Sequence, residues 1–472
     1  MSDQAQTPTS TSTPPELASE RVEHLRGRIA DLMPDIRRDL EDLARIPSVS
    51  LPSFPADEVA RSARRTAELL EAAGAQVEIV EADGGHPAVI GRVDGPAGAP
   101  TVLLYAHHDV QPPGPDSDWQ SPPFEPTERD GRLYGRGTAD DKAGILAHIA
   151  ALRAHDGTPP VSLRIFVEGE EEAGSESLPA LLEAHADKLD CDAIVIADSA
   201  NWAVGTPSLT TTLRGNVRAV VELATLDHGL HSGLFGGPVP DAITAMCRLL
   251  ATLHSDAGDV AVEGLLGTDD TDVDYPEDQL RADSGILEGV DLIGTGSLAA
   301  RLWSKPSMTV IGIDAPATDV AANLLTPRCR AKLSARIAPQ QSPEEAFEAI
   351  KTHLEKHAPW GSEVTVTLGD AGAGFTASTS GPVVDAANAS LATAWDTDPV
   401  AVGLGASIPF ISLFAETFPQ AAILITGVED PDTRAHGPDE SLHLAEFEKV
   451  CLAEALLLEH LGGLDTLDTS GS

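Results

Sequence analysis

The apolar run Val102–Tyr105 stops abruptly at His107, His108 and Asp109, within the segment TVLLYAHHDVQ at residues 101–111. A short apolar run bounded by polar residues reads as a buried strand. Its polar end puts titratable groups at the carboxyl edge of a sheet, where open α/β sheets bind ligands. His107 and Asp109 are two apart, so they point to one side if the strand continues. An imidazole that binds a metal and a carboxylate that orients it have this relationship. Taken alone, the segment reads equally well as a polar loop after a core strand.

Two further strands repeat the pattern. Val161–Val167 is followed by EGEEEAGSESL, which crowds Glu168, Glu170, Glu171 and Glu172 together. Carboxylates so close repel one another, and if buried they need protons or cations; a solvated acidic turn is the other reading. Ala193–Ala197 is a third strand and ends in Asp198. Between the first two lies RDGRLYGRGTADDKAG. Gly131, Gly135 and Gly137 let the chain turn tightly, and Asp140, Asp141 and Lys142 open a helix running to about Arg153. Asp140 either complements the helix dipole or is a carboxylate delivered into a crowded site.

The rest of the chain supplies a scaffold. Helical periodicity runs from Glu20 towards Ala44, with Leu25, Ile29, Leu32, Ile36 and Leu40 on one face, and again from Asp57 to Ala73. Gln76–Val80 and Ala88–Val93 read as strands, and the Pro-rich stretch 112–126 as a loop. From Gly215 the pattern becomes strand-helix-strand-strand-helix-strand, over 216–224, 242–253, 307–313, 328–337, 343–357 and 363–368. That order suggests a small α+β domain with helices on one face of its sheet. After a Gly-rich linker, 372–381, the first pattern resumes with a helix, the strand Ala422–Gly427, His436 in the loop TRAHGPDE, and a last helix from Leu444 to Leu461. The expected organisation is a tail over 1–19, a catalytic α/β domain over 20–214 and 377–472, with a mixed sheet flanked by helices, and an inserted domain over 215–376.

Composition narrows the partners. With 74 acidic and 31 basic residues the net charge is -43, a field that repels nucleic acid and anionic membranes. No run is long and apolar enough to span a bilayer. The start, MSDQAQTPTSTSTPPELASE, lacks the basic and apolar regions of a signal peptide, so a disordered tail and a cytoplasmic protein are expected. Cys191, Cys247, Cys329 and Cys451 have no paired spacing and read as buried free thiols rather than disulfides or a zinc-thiolate site.

His107, Asp140, Glu172, Asp198 and His436 are the candidate metal ligands. Imidazole and carboxylate without thiolate suit zinc, with manganese or cobalt as alternatives. Five ligands hold two ions only if one carboxylate bridges them, and two ions so placed activate a water and polarise a carbonyl.

AHHDVQP, LYGRGTADDKAG, EGEEEAGS, VIAD and AHGPDE resemble the motifs of the dinuclear metallopeptidases that include carnosinases, other dipeptidases, aminoacylases and succinyl-diaminopimelate desuccinylases. HxDVQP, the Trp/Pro-rich loop after it and YGRG are most similar to the carnosinase-type dipeptidases. The resemblance covers about Arg21 to Leu461. It implies that Asp140 bridges two metals, that His107 and Asp198 complete one site, and that Glu172 and His436 complete the other. It implies that Glu171 is the general base, exchanging protons with a metal-bridged water and the leaving amine, and that Asp109 orients His107. A cis peptide is expected at Asp140–Asp141. The inserted domain is similar to the family's lid and dimerisation domain, of ferredoxin-like α+β type, and implies a homodimer. His231, in LHSGLFGG, matches a histidine that reaches a partner's site and stabilises the oxyanion. Asn323 and Arg336 match residues that hold a substrate carboxylate, and Ser407 matches a substrate-contacting serine in the family's GGSIP turn.

The expected activity is hydrolysis of the amide bond of dipeptides or small peptide-like substrates with a free carboxylate. N-acyl amino acid deacylation and carboxypeptidase action are the alternatives, and a non-catalytic acidic binding protein is a remote one. Two departures from the family pattern bear on this. Gly403 and Leu404 stand where related dipeptidases carry Arg-Glu, which alters the pocket wall. His108 stands where the family has a small or apolar residue; it reads as a spectator that would otherwise compete for metal.

Overall fold

The computed structural model describes residues 17–269, 271, 273–405 and 409–464. The expected tail lies outside the described residues as far as residue 16. The chain divides into two compact units. One comprises Met1–Thr211, Ala377–Ala401 and Leu413–Ser472, the other Thr212–Thr376 and Val402–Ser412.

A mixed sheet forms the centre of the first unit. Its strands β1 (Gln76–Val80), β2 (Ala88–Val93), β3 (Thr101–His107), β4 (Ser162–Glu168), β5 (Ala193–Ala200) and β6 (Ala422–Glu429) lie in the order β1-β2-β4-β3-β5-β6. β3 runs parallel to β4 and β5, and β6 runs parallel to β5. β2 is antiparallel to β4 and to β1. Around the sheet are α1 (Ser19–Ala44), α2 (Ala56–Ala72), α3 (Lys142–Ala154), α4 (Leu178–Leu189), α5 (Pro382–Trp395) and α6 (Leu444–Gly462).

The sequence of β3 explains its place. Val102, Leu104 and Ala106 join the core that includes residues of α1, α3 and α6. Tyr105 faces the opposite way, its ring 6.2 Å from that of Phe166 and 5.3 Å from that of Phe414. With both faces covered, the strand has no polar position until its end. Each fully buried aliphatic side chain contributes about 1.5–3 kcal/mol, so the apolar half fixes where the polar end is delivered. The register does the rest. His107 pairs with Glu168 of β4, and Tyr105 with Ile196 of β5, so that His107 and Asp198 arrive level with each other.

α3 is apolar nearly all round and correspondingly buried along its length. Its first residue, Lys142, is fully buried and donates to the carbonyls of Leu43 at 3.0 Å and Ile46 at 2.8 Å, at the end of α1. Burial pulls the Lys142 pKa down to about 7.

The second unit contains a four-stranded antiparallel sheet in the order Ser307–Ile313, Arg328–Ile337, Gly215–Ala224, Glu363–Gly372. Gly215–Ala224 alternates buried and half-buried residues. Its inward side chains Val217, Val221 and Leu223 share a core with Met246 and Leu249 of helix Ala242–Ala251 and with Ile350 and Leu354 of helix Pro343–Lys356. Part of the stretch read as a linker is ordered: the fourth strand continues to Gly372, and Phe375–Thr376 is a further short strand.

The four cysteines are free thiols, but only Cys329 and Cys451 are buried as expected; Cys191 is half-buried and Cys247 exposed. No described helix is long and apolar enough to cross a membrane.

Candidate active site

The polar ends of β3, β4 and β5 meet the Gly-rich loop before α3 and the loop after β6. His107 is buried, with Nε2 3.2 Å from Asp140 Oδ1 and 3.8 Å from Asp198 Oδ1. His436 Nε2 lies 3.1 Å from the other oxygen of Asp140, Oδ2, and 3.3 Å from Glu172 Oε2. One carboxylate therefore has an imidazole on each of its oxygens. Asp140, Glu172 and His436 offer ligand atoms within 4.8 Å of one another, and so do His107, Asp141 and Asp198. The Asp140–Asp141 peptide is cis, as expected. Asp140 and Asp141 both offer carboxylates at the centre, where the sequence reading used only the first.

Supporting groups fix these side chains. Asp109 Oδ1 is 3.3 Å from His107 Nδ1. The Asp109 carboxylate also accepts the backbone N–H groups of Glu171 at 3.2 Å and Glu172 at 3.0 Å, and the hydroxyl of Ser50 at 2.6 Å. Gln111 donates from Nε2 to Glu172 Oε2 at 2.7 Å and from its backbone to Oε1 at 3.1 Å. Ser50 and Gln111 were not singled out from sequence. Gln111 follows the HxD spacing by two residues, so the strand's polar run contained the signal.

The electrostatics match cations. Burial, then the charge of Asp140, pushes the Glu172 pKa up to about 10. Burial also raises Glu171 well above the usual carboxylate range, with Asp198, Asp109 and Asp140 adding to it against His107. Asp141 is raised by burial and by Asp198, and its Oδ1 is buried without a hydrogen-bond partner among the described residues. Burial disfavours a charged His107, but Asp109, Asp140 and Asp198 outweigh it and hold its pKa well above the ordinary histidine value. Crowded carboxylates and two imidazoles converging on one point form a donor set suited to divalent metal ions.

His108 is placed apart from this set. Burial lowers its pKa to about 4, and its Nε2 lies 2.9 Å from the Pro87 carbonyl. Gly169 makes room for the ring, since a Cβ there would stand 2.8 Å from His108 Cε1.

His231, Asn323 and Arg336 lie in the second unit. His231 is exposed and its Nδ1 accepts the N–H of Gly233 at 3.1 Å. Asn323 is exposed on the adjoining segment, its carbonyl accepting the N–H of Ser232 at 3.1 Å. Arg336 is half-buried on the strand Arg328–Ile337. Ser407 lies outside the described residues. At Gly403 a Cβ would come within 2.5 Å of Trp303 Cβ and 2.6 Å of Thr212 Oγ1. Trp303 thus fills the space that a side chain at 403 would need.

The sequence model of peptidase family M20/M25/M40 matches residues 103–460. A cysteinylglycine-S-conjugate dipeptidase from Corynebacterium striatum is 34% identical over 438 residues, covering 91% of this chain and 96% of that protein. The beta-Ala-His dipeptidase of Homo sapiens is 29% identical over 385 residues, covering 76% of this chain and 74% of that protein. The crystal structure of human carnosine dipeptidase 1 is similar with a TM-score of 0.76 at 25% identity, covering 96% of this chain and 100% of that chain.

Proposed function

The chain belongs to peptidase family M20/M25/M40, and on that premise we propose that it is a dipeptidase acting on dipeptides and small peptide-like substrates with a free carboxylate. As a metallopeptidase it depends on divalent metal ions. The observation that carries the proposal is Asp140 with His107 at one oxygen and His436 at the other. We assign His107 and Asp198 to one ion, Glu172 and His436 to a second, and Asp140 to both, with zinc preferred and manganese or cobalt as alternatives. Two bound ions would supply Lewis-acid polarisation of the scissile carbonyl and a lower pKa for the attacking water.

The chain's own groups do the rest. The Glu171 carboxylate takes the proton of the attacking water and returns it to the leaving amine nitrogen. Burial raises its proton affinity, which suits that exchange. Asp109 keeps His107 in one orientation through Nδ1. Asn323, Arg336 and Ser407 would grip the carboxylate end of the substrate. We read residues 215–376 as a ferredoxin-like lid and dimerisation domain inserted into a catalytic domain over 20–214 and 377–472. In the homodimer this implies, His231 would stabilise the oxyanion in the partner's site. The protein would act in the cytoplasm.

The names of the relatives favour dipeptides over N-acyl amino acids and longer peptides. Cysteinylglycine and its S-conjugates are the first candidates, since the Corynebacterium striatum relative is named for them. The test is a panel, with metal restored, of cysteinylglycine, S-substituted cysteinylglycine, β-alanyl-histidine, their C-terminal amides, and N-acetyl amino acids. Cleavage of free-carboxylate dipeptides with weak cleavage of the amides is expected. Preferential cleavage of N-acetyl amino acids would make this a deacylase.

A further inference from the structure

Two loops bring Asp140 and His436 to the site, and a buried ion pair joins them. Arg136 and Glu440 are 1% and 0% exposed, and Arg136 Nη1 donates to Glu440 Oε2. The other oxygen, Oε1, accepts the backbone N–H groups of Ala139 and Asp140, each at 3.2 Å. Arg136 Nη2 donates to the carbonyl of Gly437 at 3.1 Å, next to His436. Backbone bonds reinforce the junction. The N–H of Gly135 donates to the Glu440 carbonyl at 2.9 Å, and the short strands Arg132–Tyr134 and Ser441–His443 pair antiparallel. The pair therefore grips the main chain at Asp140 on one side and beside His436 on the other.

The two imidazoles differ in how else they are held. His107 ends a strand bonded on both sides, and its side chain is 1% exposed. His436 lies on a loop, has a side chain 59% exposed, and adopts a left-handed backbone at φ 63°, as do Arg434 and Asp439 at 60° and 58°. Non-glycine residues hold that conformation only where their surroundings impose it.

The geometry points to Arg136 and Glu440 as positioning residues for one of the two ions, the one shared by Asp140, Glu172 and His436. The ion on the His107 and Asp198 side shares Asp140 but takes its other ligands from the ends of sheet strands, so it depends less on the pair. This inference rests on the two-ion reading above and adds that, Asp140 aside, the two ions are retained by separate parts of the fold. Residues that orient metal ligands from behind typically change affinity by about 10–100-fold when altered.

The test is titration of metal-free protein with cobalt(II), followed by calorimetry and by visible absorption of the bound ion. Wild-type protein takes up two equivalents, and His436→Ala identifies which of them belongs to the exposed position. In Glu440→Gln that equivalent weakens by about 10–100-fold while the other, which shares only Asp140 with it, weakens by a distinctly smaller factor. Arg136→Lys keeps a cation beside Glu440 but loses the reach to Gly437, and it weakens the same equivalent by a smaller factor. Equal weakening of both equivalents, or of neither, in folded variants overturns the inference. If Glu440→Gln does not fold, Arg136→Lys decides it by the same criterion. Uptake of fewer than two equivalents by the wild-type protein refutes the two-ion reading itself, and this inference with it.

Discussion

The carboxylate of Asp109 accepts the backbone N–H of Glu172 at 3.0 Å while standing 3.3 Å from the Nδ1 of His107. One side chain thus ties the end of β3 to the turn after β4. Asp109→Asn keeps the shape but offers an amide in place of one oxygen. It should lower metal affinity by about 10–100-fold and reduce kcat/KM at subsaturating metal by at least as much. Equilibrium dialysis and steady-state kinetics on the same preparations check this.

Glu171 is placed by the N–H it gives to Asp109, so replacing its carboxylate leaves the neighbouring geometry in place. Glu171→Gln should retain the wild-type metal content and lose roughly 10²–10⁴ in turnover. Metal analysis with single-turnover kinetics reads both quantities. An unchanged rate would remove Glu171 as the proton carrier.

Metal removal should make stability depend more steeply on pH. In the metal-free protein burial lifts the Glu172 pKa to about 10, far above an unfolded glutamate near 4.5. A carboxyl raised on folding favours the folded state below its unfolded pKa, and that contribution is lost as pH rises towards 10. The melting temperature of EDTA-treated protein should therefore fall between pH 6 and 9 by more than that of the metal-loaded protein. Metal uptake at pH 7 should release protons, visible as a buffer-dependent heat of binding.

Lys142 donates to two carbonyls at the end of α1 from a fully buried position. Lys142→Met fills a similar volume but leaves both acceptors without their donor. It should destabilise the protein by about 2–4 kcal/mol, read as a lower urea midpoint with an unchanged slope.

The strands that carry the site were legible because their chemistry is local. β3, β4 and β5 are apolar runs that end in His107, Glu168 to Glu172 and Asp198, and a parallel register sets such ends side by side. The short strands Thr127–Arg129 and Arg132–Tyr134 were not, because three residues between turns carry no periodicity. Nor was the Arg136–Glu440 pair, whose partners lie 304 residues apart. A charged residue in a Gly-rich string looks solvated until the fold supplies its counterpart. Asp141 was read as a helix opener, since nothing in the string GTADDKAG shows that its carboxylate also meets His107 and Asp198. Gly403 was legible as a departure but not as a cause; the bulk of Trp303 against it comes from a distant part of the sequence.

The crowded carboxylates around Asp140 also tie the protein's lifetime to metal supply. Without ions, Glu171, Glu172 and Asp198 are pushed towards their protonated forms beside Asp140, and that proton uptake sets itself against the folded state at neutral pH. Ions that bind only the folded chain stabilise it by mass action, by about 2.7 kcal/mol at a hundredfold excess over Kd. A shift of that size changes how often the chain opens to proteases. A cell starved of divalent metal would accordingly hold fewer copies of this protein, as well as less active ones.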